Sequence, residues 1–186
     1  MLERQIEVAA AGLAQGRAYA GTRRAARILS FVVFTFVGAQ LAVRLPFTPV
    51  PVTMQTLFVI LAGLTLGSRD ALFAMTAYLA LGASGVPLFA GFTFGPLVLL
   101  GPTGGYLLAF PAAAFLSGWL HEAWGESRPA LFGAAFAGSA VILCMGTLHL
   151  TLLTGASFAG AASLGLLPFL AGELIKDGLA AATARR

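Results

Sequence analysis

Apolar residues in this chain run together in long blocks rather than at regular helical or strand intervals. Six blocks are marked: residues 28–45, 53–66, 71–83, 104–120, 130–153 and 167–184. A segment apolar on all sides is either the core of a large protein or a membrane span, and this chain has only 186 residues. Pro46, Pro49 and Pro51 end the first block, because proline cannot continue a helical hydrogen-bond ladder. Gly67 to Asp70 supply a turn between the second and third, both short enough to be tilted or re-entrant. No Asp, Glu, Lys or Arg occurs from Ala71 to Leu120.

Composition turns the pattern into a class. Hydrophobic residues make up 59% and charged residues 10%, where a soluble domain carries about 25% charge. The expected fold is therefore an all-α integral membrane protein, with six transmembrane helices in one membrane domain over residues 27–186. Residues 1–26 are expected to be a cytoplasmic N-terminal segment, with 2–20 as a short amphipathic helix on the membrane surface. Glu3, Glu7 and the absence of a small-residue cleavage site argue against a cleavable signal. Arg23–Arg24 bears only a faint likeness to a twin-arginine signal.

The net charge of +4 matters through its placement. Arg17, Arg23, Arg24 and Arg27 crowd the start, Arg69 and Arg128 occupy two loops, and Arg185 and Arg186 close the sequence. With six spans all of these fall on one side, so both termini of a multi-pass cell-membrane protein are expected in the cytoplasm. No basic face with interleaved aromatics exists, which argues against nucleic acid. Cys144 is the single cysteine. It permits no intrachain disulfide or cysteine metal site and is expected as a small buried thiol.

Against this background the last block is anomalous, because it holds Glu173, Lys176 and Asp177. Each ionisable group near the centre of a membrane helix costs about 2.5–3.5 kcal/mol on insertion scales. Substrate binding, an ion path or a pair locking the helix to a neighbour could justify them. Spacings of three and four put the group on one helix face. Entering from the outside, Glu173 lies about 9 Å deep at 1.5 Å per residue. Thr53, Gln55 and Thr56 bring polar groups to the outer end of the second block, and Tyr78 reaches mid-depth in the third. Aromatics around a few polar groups are the general form of a small-molecule site.

Other features carry less. Gly101-Pro-Thr-Gly-Gly-Tyr106 lacks the Gly-Lys-Ser/Thr ending of a phosphate-binding loop, so no ATP binding is expected of this chain alone. It reads as a tight external turn or as a loop closing over a ligand. His121 and His149 stand apart, with no ligand-spaced partner, so neither a metal nor a catalytic group is expected. Gly38 and Ala42 put small residues four apart in the first block, either for close helix packing or as a partner-docking face.

Several of these motifs occur together in one family. Pro46-Phe-Thr-Pro-Val-Pro-Val-Thr-Met-Gln-Thr-Leu57, Leu61-Ala-Gly-Leu64, Gly82-Ala-Ser-Gly-Val-Pro87 and Gly101-Pro-Thr-Gly-Gly-Tyr-Leu107 resemble the BioY biotin transporters, the substrate-binding S components of energy-coupling-factor (ECF) transporters. Gly172-Glu-Leu-Ile-Lys176 resembles that family's Gly-Asp-x-x-Lys, with Glu173 one methylene longer than the usual Asp. The resemblance implies an S-component bundle that is not an enzyme and has no cofactor. It also implies biotin binding from outside, and coupling to a transmembrane T protein with two ABC-type ATPases. It puts Glu173 and Lys176 at the family's acidic and basic positions and leaves Asp177 as a neighbour of Lys176. Biotin's ureido N–H groups, carbonyl and carboxylate suit an acidic acceptor, a lysine donor and Gln55. Thr53 joins this polar set, and Tyr78, Phe89 and Tyr106 could cover the ring. An S component for another vitamin, or a stand-alone transporter of a small solute, is the alternative.

Overall fold

A computed structural model describes residues 1–184, with nothing described of the side chains of residues 2–18. Arg185 and Arg186, and most of the surface expected to be amphipathic over residues 2–20, thus lie outside the described residues. Helices account for 78% of the chain, in line with an all-α fold. Eight α-helices are present where six blocks were marked: α1 (Leu2–Gln40), α2 (Gln55–Leu66), α3 (Ser68–Ala83), α4 (Pro96–Leu100), α5 (Gly104–Trp124), α6 (Arg128–Thr154), α7 (Phe158–Gly165) and α8 (Leu167–Thr183). The blocks correspond to α1, α2, α3, α5, α6 and α8. The two additional helices are short and lie in stretches left unassigned by the apolar pattern. Pro96 opens α4, its fixed φ suiting a first helical turn. Ser157 caps α7 by accepting from Gly160 N at 3.2 Å.

Helix lengths differ widely. At 1.5 Å per residue, the 12 residues of α2 span about 18 Å and the 27 of α6 about 40 Å. Among the described helices α6 is long and apolar enough to cross a bilayer unaided, and α7 with α8, bent by 48°, passes as a pair. The short α2 runs straight into α3 through Gly67, whose φ of 87° is open to glycine but unfavourable for other residues. This elbow packs on α5 through glycines. A Cβ on Gly118 would lie 2.7 Å from Ser68 N and 2.9 Å from Gly63 O. Such contacts let helix backbones approach closely where apolar burial alone cannot drive association in lipid. Glu122 of α5 fixes the same elbow, accepting from Ser68 N at 2.9 Å and Ser68 Oγ at 3.0 Å.

The proline-rich connection after α1 is a small hairpin. Strand β1 (Ala42–Val43) pairs antiparallel with β2 (Val52–Thr53), and Arg44 to Pro51 form the loop between them. Met54 N donates to Gly38 O at 3.1 Å and Leu41 O at 3.2 Å, pinning the start of α2 to the end of α1.

Two expectations fail here. Because α1 ends at Gln40, Ala42 is a strand residue and shares no helix face with Gly38. Gly38 is buried inside the chain, where a Cβ would lie 2.7 Å from Phe58 and 2.9 Å from Met54. Small size at this position serves the α1–α2 contact. Cys144, expected buried, is exposed on the outer face of α6.

Candidate ligand-binding site

The hairpin, the segment joining α3 to α4, the first turns of α2, α5 and α8, and the middle of α6 line a cavity of about 780 Å³. Of the residues expected at a site, Thr53, Gln55, Phe89, Tyr106 and Glu173 line it. Tyr78 and Lys176 stand directly behind that wall, each bonded to a residue that lines it.

Its polar end is built from α2 and α8. Glu173 is 5% exposed and Lys176 6%. Lys176 Nζ donates to Thr56 Oγ1 at 2.6 Å, to Thr53 O at 3.0 Å, and to Glu173 Oε1 in a close ion pair. Thr56 Oγ1 donates in turn to the same Glu173 oxygen at 3.0 Å, which closes a triangle. All three Lys176 protons are therefore used, in a geometry that also ties α8 to α2. Glu173 Oε2 is buried and has no hydrogen-bond partner among the described residues. A buried acceptor left open costs free energy until something donates to it.

Gln55 forms the adjoining polar wall. Its Nε2 donates to Tyr78 Oη at 2.7 Å, and Tyr78 Oη donates onward to Leu88 O at 2.8 Å. Gln55 Oε1 accepts from Thr53 Oγ1 at 3.2 Å. Tyr78 thereby orients the amide that faces the cavity, rather than facing it itself. Phe89 stacks edge-on against Tyr78, with centroids 5.8 Å apart, and packs over Gly82. Tyr106 donates to Gly165 O at 2.6 Å, and its ring rests on the bare backbone of Gly146. Phe110 and Phe169 complete an aromatic lining.

Asp177 is 1% exposed and accepts from Ser139 of α6 at 2.6 Å. Its hydrogen bond thus goes to α6 and not to Lys176, and it does not line the cavity. His149 Nε2 lies 3.1 Å from Gly101 O and holds the glycine-rich turn, whose Gly101, Pro102 and Thr103 line the cavity. Among the described residues no group of three or more His, Cys, Asp or Glu is placed to hold a metal ion.

Among the polar residues of the cavity, an arginine and a glutamine were not anticipated. Arg44, beyond β1, lines it and makes no ion pair among the described residues. Gln40 lines it from the last turn of α1. The available signal was a glutamine and an arginine at the outer end of an apolar block, where neither is needed for topology.

Comparison with known proteins decides the family. The BioY family model matches residues 8–186, nearly the whole chain. The chain belongs to the BioY family. The "Probable biotin transporter BioY" of Pyrococcus horikoshii is 42% identical over 156 residues, covering 84% of this chain and 90% of the relative. The "Biotin transporter BioY" of Thermotoga maritima is 38% identical over 156 residues, with the same two coverages of 84% and 90%. A crystal structure of the S-component for biotin from an ECF-type ABC transporter superposes with a TM-score of 0.84. That match covers 90% of this chain and 92% of the other at 24% identity, so it speaks for the fold. The BioY motifs in this chain therefore stand on an S-component-like bundle, and those at Pro46–Leu57, Gly101–Leu107 and Gly172–Lys176 contribute residues to the cavity.

Proposed function

We propose that this chain is the biotin-binding membrane subunit of a vitamin uptake system. The observation that carries the reading is the buried carboxylate of Glu173, which lines the polar end of an aromatic-lined cavity and keeps one oxygen without a hydrogen-bond partner among the described residues. A ureido N–H is a donor of the right kind for that oxygen, and Gln55 offers both a donor and an acceptor beside it. Phe89, Tyr106 and Phe169 suit the apolar ring and chain. Arg44 is a cation suited to a carboxylate, which guanidinium can hold through two parallel bonds. Lys176 acts behind Glu173, pairing with the carboxylate and orienting it, while Thr53 and Thr56 fix Lys176.

In this reading residues 27–186 form one membrane domain crossing six times, through α1, α2, α3, α5, α6 and α8. Arg24, Arg27, Arg69 and Arg128 then share the cytoplasmic side with both termini, as the positive-inside rule requires. The short α2 reaches only part way, which brings its first residues to the depth of Glu173. The chain is a transporter subunit and not an enzyme. It has no phosphate-binding loop, so energy comes from a transmembrane T protein and two ABC-type ATPases. Uptake tests the reading: cells that make the chain with such partners accumulate labelled biotin, and cells that make the Glu173→Gln variant accumulate far less. Equal accumulation by the two would remove Glu173 from the site.

A further inference from the structure

Gln40 is the last residue of α1, and its side chain reaches the segment that joins α3 to α4. Its Nε2 donates to Phe89 O at 3.2 Å, and its Oε1 accepts from Phe92 N at 3.2 Å. One amide thus spans both ends of the single 3-10 turn Ala90–Phe92. That turn is conformationally costly. Gly91 has φ 69°, and Phe92 has φ 58°, the only positive φ at a non-glycine position among the described residues. Left-handed backbone is unfavourable for a bulky side chain and persists where the surroundings over-determine it. Burial does not supply that hold, because Phe92 is 59% exposed. Phe89 N donating to Thr93 O at 3.1 Å and Thr93 Oγ1 donating to Ala90 O at 3.1 Å lie within the segment itself. Among the described residues, the two bonds of Gln40 and an edge-on contact of Phe36 with Phe92 at 6.1 Å tie the turn to α1. Residues 89–93 and Gln40 all line the cavity.

We propose that Gln40 is a positioning residue: it holds the strained 89–92 turn as a wall of the cavity and thereby slows departure of the ligand. The inference rests on the biotin reading for the identity of that ligand. Without Gln40 the turn relaxes to an ordinary backbone conformation at Phe92, and the wall is lost part of the time.

The experiment uses the full chain in nanodiscs and compares the parent, Gln40→Ala, Phe92→Gly and the double variant. In Gln40→Ala, bound labelled biotin leaves about tenfold faster, within the net worth of the two neutral hydrogen bonds to Phe89 O and Phe92 N. Its association rate stays at the parent's value and the ligand-free protein unfolds at most about 2–4 °C lower, a local cost that a general loss of structure would exceed. In the Phe92→Gly background, removal of Gln40 accelerates release by less than about threefold, because glycine adopts a left-handed backbone without steric cost and the turn has no strain to release. Release from Gln40→Ala within twofold of the parent, or an equal effect in both backgrounds, would overturn the proposal. Amide exchange at Phe92 reads the same hold without ligand: it is slow in the parent and fast in Gln40→Ala. Failure of the parent to bind biotin would overturn the biotin reading, and the exchange result then decides the role of Gln40 separately.

Discussion

Replacing Lys176 with alanine removes three hydrogen bonds at once, to Thr53 O, Thr56 Oγ1 and Glu173 Oε1. The serious consequence is what remains. Glu173, 5% exposed, keeps Thr56 alone on one oxygen and nothing on the other. Breaking a buried ion pair by deleting one partner costs about 3–5 kcal/mol, because a buried charge is left uncompensated. Glu173→Gln is milder, since Lys176 retains Thr53 O, Thr56 Oγ1 and an amide oxygen as acceptors. Loss of one charge-assisted bond there is worth about 1.5–3 kcal/mol. Removing both charges, as in Glu173→Leu with Lys176→Met, returns stability toward the parent, because apolar replacement of a buried pair is often neutral or better. Reversible unfolding of the purified protein in mixed micelles, followed by fluorescence of Trp119 and Trp124, measures Lys176→Ala and the four corners of a cycle made of the parent, Glu173→Leu, Lys176→Met and the double variant. The single variants each lose stability and the double variant loses less than their sum. Strict additivity, or a cost of Lys176→Ala below about 1 kcal/mol, would show that the pair is solvated and the geometry described for it is wrong.

Three further outcomes follow from the same contacts. Tyr78→Phe strips Gln55 Nε2 of its 2.7 Å partner and Leu88 O of its 2.8 Å donor; unfolding should show a loss of about 1–3 kcal/mol, and biotin titration a weaker site. Gly146→Ala puts a Cβ into the ring of Tyr106; overpacking of this kind costs about 1–3 kcal/mol, visible as a lower unfolding temperature together with weaker binding. Arg44→Ala leaves stability unchanged, since Arg44 has no ion pair among the described residues, yet weakens biotin more than biotin amide when the two are titrated in parallel.

The sequence made the polar end of the cavity legible because ions in an apolar helix are expensive, so Glu173 and Lys176 stand out without any structure. Spacing along α8 then gave their shared face, and the proline-rich loop brought Thr53 and Gln55 to the same depth. What stayed hidden depended on where elements end. Ala42 looked like a helix residue because the apolar block continues past Gln40, whereas the chain leaves the helix there to form the hairpin. Helices α4 and α7 are too short to show a period, and their stretches read as loops. The outward position of Cys144 stayed hidden because apolar residues cover every side of α6, and hydropathy alone could not tell inside from outside. Asp177 was grouped with Lys176 by proximity along the helix, yet its bond goes to Ser139 on another one. Gln40 shows the general difficulty: it contacts the 89–92 turn across 49 positions of sequence, a pairing that no local pattern announces.

The central claim is that this chain is itself the biotin receptor. Isothermal titration of the purified full chain with biotin, and with thiamin and riboflavin as controls, tests it most directly. Saturable binding of one biotin per chain is predicted, with no heat from either control and much weaker binding by Lys176→Ala. An absence of biotin binding by folded protein, or saturable binding of thiamin or riboflavin in its place, would contradict the account.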